Sequence, residues 1–453
     1  MAARCFLLAL TGALVLSTVS GVAAEPLVSL HWPAGTVLVP FEDLEGALLM
    51  TATIRGATGR DTTGSFVLDT GAGFLAIDRS LAAAIGIARD SADGSSIGLA
   101  SAPVACFELG RLRLGRVSPV LLMNQDVVQR VIGRRVMGLI GEWLLRDRCA
   151  VLDPGERVLA LLPARDDEDS TKAGRADLAE EPSRRVSAPE NPLRSGSLPP
   201  DLAEALSARS FSVPFVVAGD GKIVLVAKVS ALATLTRPAR FRLILDTGAT
   251  KSVFFRDGLD RRLPAWRSWP AVRGLSAPTL SGDESAEIVR VPAIALDGAP
   301  EDEVLRGMDA AVLGGDLGTA LAADVGGPVE GLLGYSFLKH FRIAIDGGRR
   351  RLWLDPARDP VPDRPFEYSQ IGIQLEDEDG ALIVVGIVER SPAARKGLRR
   401  GDEIRSIDGK PAAGPDVLAA ARALEGPPGT GVVLELQRGD RRWTIRIIRQ
   451  RLL

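Results

Sequence analysis

Carboxylates are the groups of this chain most able to do chemistry, because histidine and cysteine are scarce. The sequence holds two histidines, His31 and His340, and three cysteines, Cys5, Cys106 and Cys149. Zinc sites made of histidine and cysteine clusters, and catalytic triads with a histidine base, therefore have almost no residues to draw on. We expect chemistry carried out by aspartate, with no metal ion and no organic cofactor.

An aspartate occurs twice in the same short motif. Residues 66–72 read Phe-Val-Leu-Asp-Thr-Gly-Ala, and residues 243–249 read Leu-Ile-Leu-Asp-Thr-Gly-Ala. A single Asp-Thr-Gly triplet arises by chance in about one chain in ten of this length, whereas two copies with the same apolar lead-in are strong evidence of a functional motif. The carboxylates in question belong to Asp69 and Asp246.

The residues around each aspartate indicate how it is positioned. An apolar strand delivers the carboxylate to a buried turn, where glycine permits a tight bend and the threonine hydroxyl can hold the turn by hydrogen bonding. A buried carboxylate is costly unless its charge is shared. Two such groups about 3 Å apart cannot both ionise, so they share one proton and titrate as a unit. We therefore expect Asp69 and Asp246 to meet as a proton-sharing pair.

The two motifs belong to a longer internal repeat. Val39-Pro40-Phe41 opens the first copy and Val213-Pro214-Phe215 opens the second, and an alternating strand pattern follows each, over residues 47–54 and 222–229. Further on, Gly-Leu-Ile-Gly at residues 138–141 matches Gly-Leu-Leu-Gly at residues 331–334. Each copy consists of short apolar runs between Gly, Pro and Asp turns, which predicts two mainly β lobes.

Both copies resemble the lobes of retropepsin-like (pepsin-type) aspartic proteases, through Asp-Thr-Gly-Ala and the later Gly-apolar-apolar-Gly. The resemblance implies a mainly β protein in which two closed β-barrel lobes each supply one aspartate. It also implies aspartic endopeptidase activity, in which one carboxylate is the general base towards water and the other donates a proton to the peptide carbonyl oxygen. The residues implied to support the catalytic loops are Thr70, Gly71, Ala72, Thr247, Gly248 and Ala249. Those implied to form the scaffold beneath the loops are Gly138, Gly141, Gly331 and Gly334.

The resemblance leaves alternatives open. We favour a monomer whose lobes pair within one chain, although homodimeric retropepsins pair lobes between chains. The alternative function is a non-catalytic peptide-binding envelope protein with pseudo-protease lobes, against which both intact motifs argue. The flap that covers the cleft in this family has two candidate segments, residues 93–102 and 272–282.

The C-terminal part of the chain follows a different pattern. Ser391-Pro392-Ala393-Ala394, the Gly-Asp-Glu-Ile of residues 401–404, and Ile407-Asp408-Gly409 closely resemble an α+β PDZ domain of the type attached to bacterial envelope proteases. The resemblance implies that an extended peptide binds by adding a strand to a sheet edge. The implied peptide-binding residues, next to a helix over residues 416–424, are Ile371, Gly372 and Ile373.

Composition divides the chain into segments. A basic start, an apolar run and a small-residue cleavage site predict a secretory signal at residues 1–24. Lobe 1 is then expected at residues 25–163, a flexible linker rich in charged residues, serine and proline at 164–205, lobe 2 at 206–358 and the PDZ domain at 366–453. We expect export to a bacterial periplasm or cell envelope, or secretion. Such a compartment permits a disulfide between Cys106 and Cys149, which we prefer to two buried thiols.

The charge balance limits the classes of partner. The net charge is −2, and no basic excess favours nucleic acid. No segment after the signal is long and apolar enough to cross a bilayer. The expected partners are a protein or peptide substrate at the lobes and a peptide ligand at the PDZ domain.

Overall fold

The computed structural model describes residues 32–88, 97–145, 148–163, 198–219, 221–279 and 282–453. The predicted signal and most of the predicted linker lie outside the described residues. The described residues form two β-rich lobes and a C-terminal module, so the prediction of a mainly β fold is confirmed. No helix in this described part is both long and apolar enough to span a membrane.

Lobe 1 is a sheet-based unit with two short helices. Its strands are β1 (Val37–Pro40), β2 (Glu42–Leu44), β3 (Ala47–Arg55), β4 (Asp61–Leu68), β5 (Leu75–Asp78), β6 (Ile97–Leu99), β7 (Cys106–Leu109), β8 (Leu112–Leu114), β9 (Val120–Met123), β10 (Gly138–Ile140), β11 (Cys149–Asp153) and β12 (Val158–Leu161). Its helices are α1 (Arg79–Ala84) and α2 (Asp126–Ile132). One sheet runs in the order β6-β9-β5-β10-β4-β3-β7-β8, with β2 beside β3. β4 begins with polar residues and ends in the buried run Phe66-Val67-Leu68.

Lobe 2 repeats this plan. Its strands are β13 (Phe211–Pro214), β14 (Val216–Val217), β15 (Ile223–Ser230), β16 (Ala239–Leu245), β17 (Ser252–Phe255), β18 (Ala271–Thr279), β19 (Gly282–Leu296), β20 (Leu305–Leu313), β21 (Gly331–Leu333), β22 (Phe341–Asp346) and β23 (Arg351–Pro356). The helices of lobe 2 and of the segment before it are α3 (Pro200–Ala203), α4 (Arg256–Arg262), α5 (Leu317–Asp324) and α6 (Tyr335–Leu338). The sheet order is β14-β15-β16-β21-β17-β20-β19-β18, and an additional β15–β19 pairing closes the strands into a barrel.

A third sheet joins the two lobes. Its order, β1-β12-β11-β22-β23-β13, takes three strands from each half of the chain. β11 pairs antiparallel with β22, which aligns Val151 of lobe 1 with Ala344 of lobe 2, both fully buried. The two lobes of one chain therefore share a continuous hydrogen-bonded sheet.

The C-terminal module is a small α+β unit. Its strands are β24 (Ser369–Gln370), β25 (Ile373–Glu378), β26 (Ala381–Ile387), β27 (Glu403–Ile407), β28 (Lys410–Pro411), β29 (Gly431–Arg438), β30 (Arg441–Ile448) and β31 (Gln450–Arg451). Its helices are α7 (Pro392–Arg395) and α8 (Val417–Leu424). The main sheet runs β25-β26-β27-β29-β30, with β28 beside β27, and β24 pairs separately with β31.

The module packs against both lobes. The Gln374 side-chain amide donates to the backbone oxygen of Ser276 at 2.6 Å and accepts from its backbone N–H at 2.9 Å. The Arg422 guanidinium donates to Glu45 Oε1 of lobe 1 at 2.6 Å. The module therefore contacts the lobes at two separate places.

Two features of the sequence analysis differ from the structure. Cys106 and Cys149 are both buried thiols, so the preference for a disulfide is wrong. The reason is topological, because Cys106 lies in the lobe 1 sheet and Cys149 begins a strand of the sheet that joins the lobes. Residues 198–205, at the end of the segment predicted as a flexible linker, contain α3, whose Leu202 is fully buried.

Candidate active site

The two Asp-Thr-Gly-Ala loops occupy equivalent places in the two lobes. Asp69 follows the end of β4, and Asp246 follows the end of β16. The backbone N–H of Asp69 donates to Ile140 O at 2.9 Å, and that of Asp246 donates to Leu333 O at 3.1 Å. Both aspartates are fully buried. Each loop is thus fixed to the scaffold strand next to it, β10 in lobe 1 and β21 in lobe 2.

The scaffold strands pass so close to the loops that glycine is required. β10 pairs parallel with β4 and antiparallel with β5, and β21 does the same with β16 and β17. A Cβ on Gly141 would lie 2.5 Å from Ala72 O, and a Cβ on Gly334 would lie 2.7 Å from Ala249 O. The first glycines of the two strands are crowded in the same way, against β5 and β17: Gly138 and Gly331.

Ala72 and Ala249 complete the turns. The N–H of Ala72 donates to Asp69 O at 3.0 Å, and the carbonyl of Ala72 accepts from Glu142 N at 2.7 Å. In lobe 2 the carbonyl of Ala249 accepts from Tyr335 N at 2.8 Å. Both alanines are fully buried, so a larger side chain would have no space.

The two threonines hold the loops to each other. Thr70 Oγ1 donates to Leu245 O, and Thr247 Oγ1 donates to Leu68 O, each at 2.9 Å. Each threonine N–H in turn donates to the hydroxyl of the other threonine, at 3.1 and 3.0 Å. These four bonds join residues far apart in sequence and place the ends of β4 and β16 side by side.

The glycines of the motif allow the carboxyl groups to meet. A Cβ on Gly71 would lie 2.7 Å from Asp246 Cγ, and a Cβ on Gly248 would lie 2.6 Å from Asp69 Cγ. Each loop therefore packs its glycine directly against the opposite carboxyl group. The two carboxyl groups are therefore neighbours, and each affects the pKa of the other.

The surroundings hold the pair in a partly protonated form. Burial raises the pKa of Asp69 well above its usual range, and the neighbouring Asp246 charge raises it further. Burial also raises the pKa of Asp246, to about 6, while backbone N–H groups at Gly248 and Ala249 oppose this rise. Those two N–H groups donate to Asp246 Oδ1 at 2.9 and 3.1 Å. The two carboxyl groups therefore titrate as a coupled pair that keeps a proton above the ordinary range of an aspartate.

Lys222 is a charged residue of this site that the sequence analysis missed. It is fully buried, and its positive charge lowers the pKa of both Asp69 and Asp246. The register that aligns Val224 with Ile244 places Lys222 opposite Asp246, two residues further along. In lobe 1 the equivalent position opposite Asp69 is Ala47. Aligning the two copies by strand register, and not by motif alone, would have identified this lysine.

The predicted peptide-binding turn of the C-terminal module leads into β25. Gly372 has a φ of +86° and packs against Ser391. The carbonyl of Ile371 accepts from Ala393 N at 2.9 Å, and that of Gly372 accepts from Val388 N at 3.0 Å. Ile373 begins β25, the terminal strand of the main sheet of the module.

The flap candidates are only partly described. Residues 97–99 of the first candidate form β6, and residues 93–96 lie outside the described residues. Most of the second candidate forms the end of β18, which pairs with β19 as a hairpin. This hairpin contacts the module through Ser276 and Gln374. Among the described side chains, no group of three or more His, Cys, Asp or Glu residues is arranged to hold a metal ion.

Two family models match the chain. Residues 50–142, which include Asp69 and the strand Gly138–Ile140, match the model described as aspartyl protease. Residues 369–448 match the model described as PDZ domain. The chain therefore joins an aspartyl protease match to a PDZ domain. Lobe 2 lies outside the first match and is linked to it by the internal repeat and the equivalent loop geometry.

Curated relatives match over part of their length. The chain is 37% identical over 71 residues to the carboxy-terminal processing protease CtpA of Bacillus subtilis (strain 168), which covers 16% of this chain and 15% of the relative. It is 32% identical over 109 residues to the carboxy-terminal-processing protease of Bartonella bacilliformis, covering 24% and 25%. The chain thus spans a quarter or less of the length of these relatives. Among solved structures, the aspartic proteinase from Irpex lacteus aligns with 71% of this chain and 98% of its own, at 12% identity and a TM-score of 0.37.

Proposed function

We propose that the protein is an exported aspartic endopeptidase that works as a monomer, with Asp69 and Asp246 as its catalytic pair. The observation that carries the proposal is the meeting of two buried carboxyl groups on loops that are locked together by reciprocal threonine hydrogen bonds. Structural stability alone seldom calls for two adjacent ionisable groups at buried turns, because their desolvation is costly. The match of lobe 1 to aspartyl proteases supports the same reaction class.

The two backbone N–H groups that donate to Asp246 Oδ1 support the proposed division of roles. Asp246, as the carboxylate, takes a proton from the attacking water molecule and acts as general base. Asp69, as the protonated member, donates its proton to the carbonyl oxygen of the scissile peptide bond. The water oxygen bonds to the carbonyl carbon, which gives a neutral tetrahedral diol. Asp246 then gives its proton to the leaving nitrogen while Asp69 takes a proton from one diol hydroxyl. The carbon–nitrogen bond breaks as the carbonyl re-forms, which gives a carboxylic acid and an amine and restores both aspartates.

The PDZ domain is proposed to bind peptides or protein partners through the turn at Ile371, Gly372 and Ile373. Support comes from the match to the PDZ domain family and from the partial similarity to carboxy-terminal processing proteases. The proposed location is the bacterial periplasm or envelope, on the basis of the signal pattern in residues 1–24.

The test is cleavage of a fluorogenic peptide library by the mature chain between pH 3 and pH 8. We expect Asp69→Asn and Asp246→Asn each to lower kcat/KM by about 100-fold or more, because each variant removes one partner of the proton transfer. Equal circular dichroism spectra would show that both variants remain folded. Substantial activity in either variant would refute the shared pair. A folded wild-type chain without activity at every pH would favour the non-catalytic peptide-binding alternative.

Mixing the two variants tests the lobe pairing. Lobes that pair within one chain give no active site in the mixture, whereas lobes exchanged between chains would restore activity. Restored activity would mean that the working protein is a dimer with exchanged lobes and not a monomer.

A further inference from the structure

Helix α2 of lobe 1 lies over the groove in which the PDZ domain would bind a peptide. The walls of that groove are β25 and α8, between which an added strand would lie. α2 packs against both of them. Directly after α2, a Cβ on Gly133 would lie 2.5 Å from Pro415 O, so the end of the helix is seated on the turn that leads into α8.

The contact is both apolar and charged. Val128 and Ile132 of α2 belong to the same hydrophobic cluster as Ile373, Leu375 and Val417 of the PDZ domain. On the rim, Arg130 Nη1 lies 3.8 Å from Glu376 Oε2, and the Glu376 side chain is only 4% exposed. The interface therefore has the pattern of a ligand in a pocket, with apolar side chains inside and one basic side chain on an acidic wall.

The acidic wall extends beyond Glu376. A surface pocket between α2 and the β25–β26 turn is lined by Arg130 together with four carboxylates. These are Asp126, Asp377, Glu378 and Asp379. Asp126 belongs to α2 itself, so the acidic wall of the PDZ domain consists of Glu376 and the three carboxylates of the β25–β26 side, and this wall attracts positive charge.

We propose that α2 is an internal ligand of the PDZ groove and that an extended peptide with apolar C-terminal residues and a nearby basic side chain competes with it. This inference rests on the peptide-binding part of the proposed function. The apolar residues of the peptide take the places of Val128 and Ile132, and its basic side chain takes the place of Arg130 at Glu376. In this structure the groove is closed by the chain itself.

Displacement of α2 reaches the loop of Asp69. The hydrophobic cluster that contains Val128 and Ile132 also contains Ala72 and Leu139, on the catalytic loop and its scaffold strand. Between α2 and β10, Met137 N donates to Ser65 O at 2.7 Å and Met137 O accepts from Asp78 N at 2.8 Å. A peptide in the groove therefore changes the packing behind one half of the catalytic pair.

The test measures binding without cleavage. The mature full-length chain carries Asp246→Asn, and the probe is a fluorescein-labelled decapeptide, GSGSGRVRVI, with a free carboxylate. Fluorescence anisotropy gives Kd, and hydrogen exchange followed by mass spectrometry reports on the α2 amides. A matched probe has both arginines replaced by glutamate.

Charge reversal on α2 should open the groove. The Arg130→Glu substitution places a negative charge beside Glu376 and the surrounding carboxylates, which repel it. We therefore expect the Kd for the basic probe to be at least fivefold lower than in the parent chain that carries only Asp246→Asn. Arg113→Glu is the matched control, because Arg113 pairs with Glu108 within lobe 1, and it should leave Kd unchanged. Adding the basic probe should also speed exchange of the α2 amides.

A reversible cross-link that holds α2 on the PDZ domain should prevent peptide binding. Gln129→Cys and Glu378→Cys, at two residues that line the pocket between α2 and the β25–β26 turn, leave Glu376 in place. Joined by a short bis-thiosulfonate linker, they should abolish binding until dithiothreitol cuts the linker. Binding by the locked chain, or equal Kd values with Arg130→Glu and Arg113→Glu, would overturn the proposal. Tighter binding of the glutamate probe, or no binding by any variant, would also overturn it. None of these results bears on the cleavage assay of the catalytic pair.

Discussion

Lobe 1 and lobe 2 hold their loop aspartates in the same backbone frame but in different electrostatic surroundings. Asp69 and Asp246 both follow a buried strand, both donate an N–H to a scaffold strand, and both adjoin a threonine that bonds to the other lobe. Asp246 Oδ1 also accepts the backbone N–H groups of Gly248 and Ala249, whereas Gly71 supplies the one backbone group that lowers the pKa of Asp69.

Lys222 is a second feature that the two lobes do not share. It stands opposite Asp246, where lobe 1 has Ala47 opposite Asp69. The repeat thus keeps the geometry that brings the carboxyl groups together and varies the charged and hydrogen-bonding groups around them. The comparison teaches that identical motifs of an internal duplication can stand in different electrostatic surroundings.

Substitution of the motif glycines should disturb the shared loop geometry most severely. Gly71→Ala and Gly248→Ala should each lower kcat/KM by about 100-fold or more, because the added Cβ displaces the opposite carboxyl group. The controls are Gly115→Ala and Gly219→Ala, which have open space at the Cβ position and should keep wild-type activity. Near-normal cleavage by either motif variant would show that the loops do not approach each other this closely.

Substitution of the two threonines tests whether the hydrogen bonds between the loops contribute equally in both lobes. Thr70→Val and Thr247→Val should each lower the free energy of unfolding by about 1 to 3 kcal/mol, because buried backbone groups lose their partners. Urea denaturation measures this loss, and the matching Thr→Ser variants should retain most of the stability. A large loss in one lobe with none in the other would contradict the reciprocal arrangement.

The raised pKa values predict how stability depends on pH. Because the folded pKa of each aspartate exceeds its unfolded value, the pair favours the folded state at low pH, and this contribution is lost as pH rises through about 6. Asp246→Asn should therefore be more stable than wild type at pH 8, by on the order of 2 kcal/mol, and the difference should shrink towards pH 4. Thermal unfolding at the two pH values measures it, and a constant difference would contradict the shifted pKa values.

Substitution of Lys222 is expected to have the smallest effect of these variants. Its positive charge favours the ionised carboxylate, so Lys222→Met should raise both apparent pKa values of the pair and move the pH profile of kcat/KM upward by about half a unit to one unit. Lys228→Met is the control on the same strand, because Lys228 pairs with Asp297. A lower kcat/KM with an unmoved profile would mean that Lys222 serves only the packing of the lobe.

The sequence predicts the repeated elements well because each copy reinforces the other. The strands that precede the loops, the Gly-apolar-apolar-Gly strands and helix α8 lie where the patterns indicate. The position of α2 on the PDZ domain was not predictable, because Val128 and Ile132 have the spacing of any amphipathic helix that faces its own lobe. The role of Lys222 and the separation of Cys106 from Cys149 depend on strand register and sheet membership, which motifs do not encode.

The most direct test of the unequal pair is a pH titration of the aspartate carboxyl carbons by 13C NMR in the mature chain, with Asp69→Asn and Asp246→Asn used to assign the signals. We predict two coupled signals. One, dominated by Asp246, titrates near pH 6, and the other, dominated by Asp69, stays protonated to higher pH. Two independent titrations near the ordinary aspartate value of about 4 would contradict the proton-sharing pair and the function built on it.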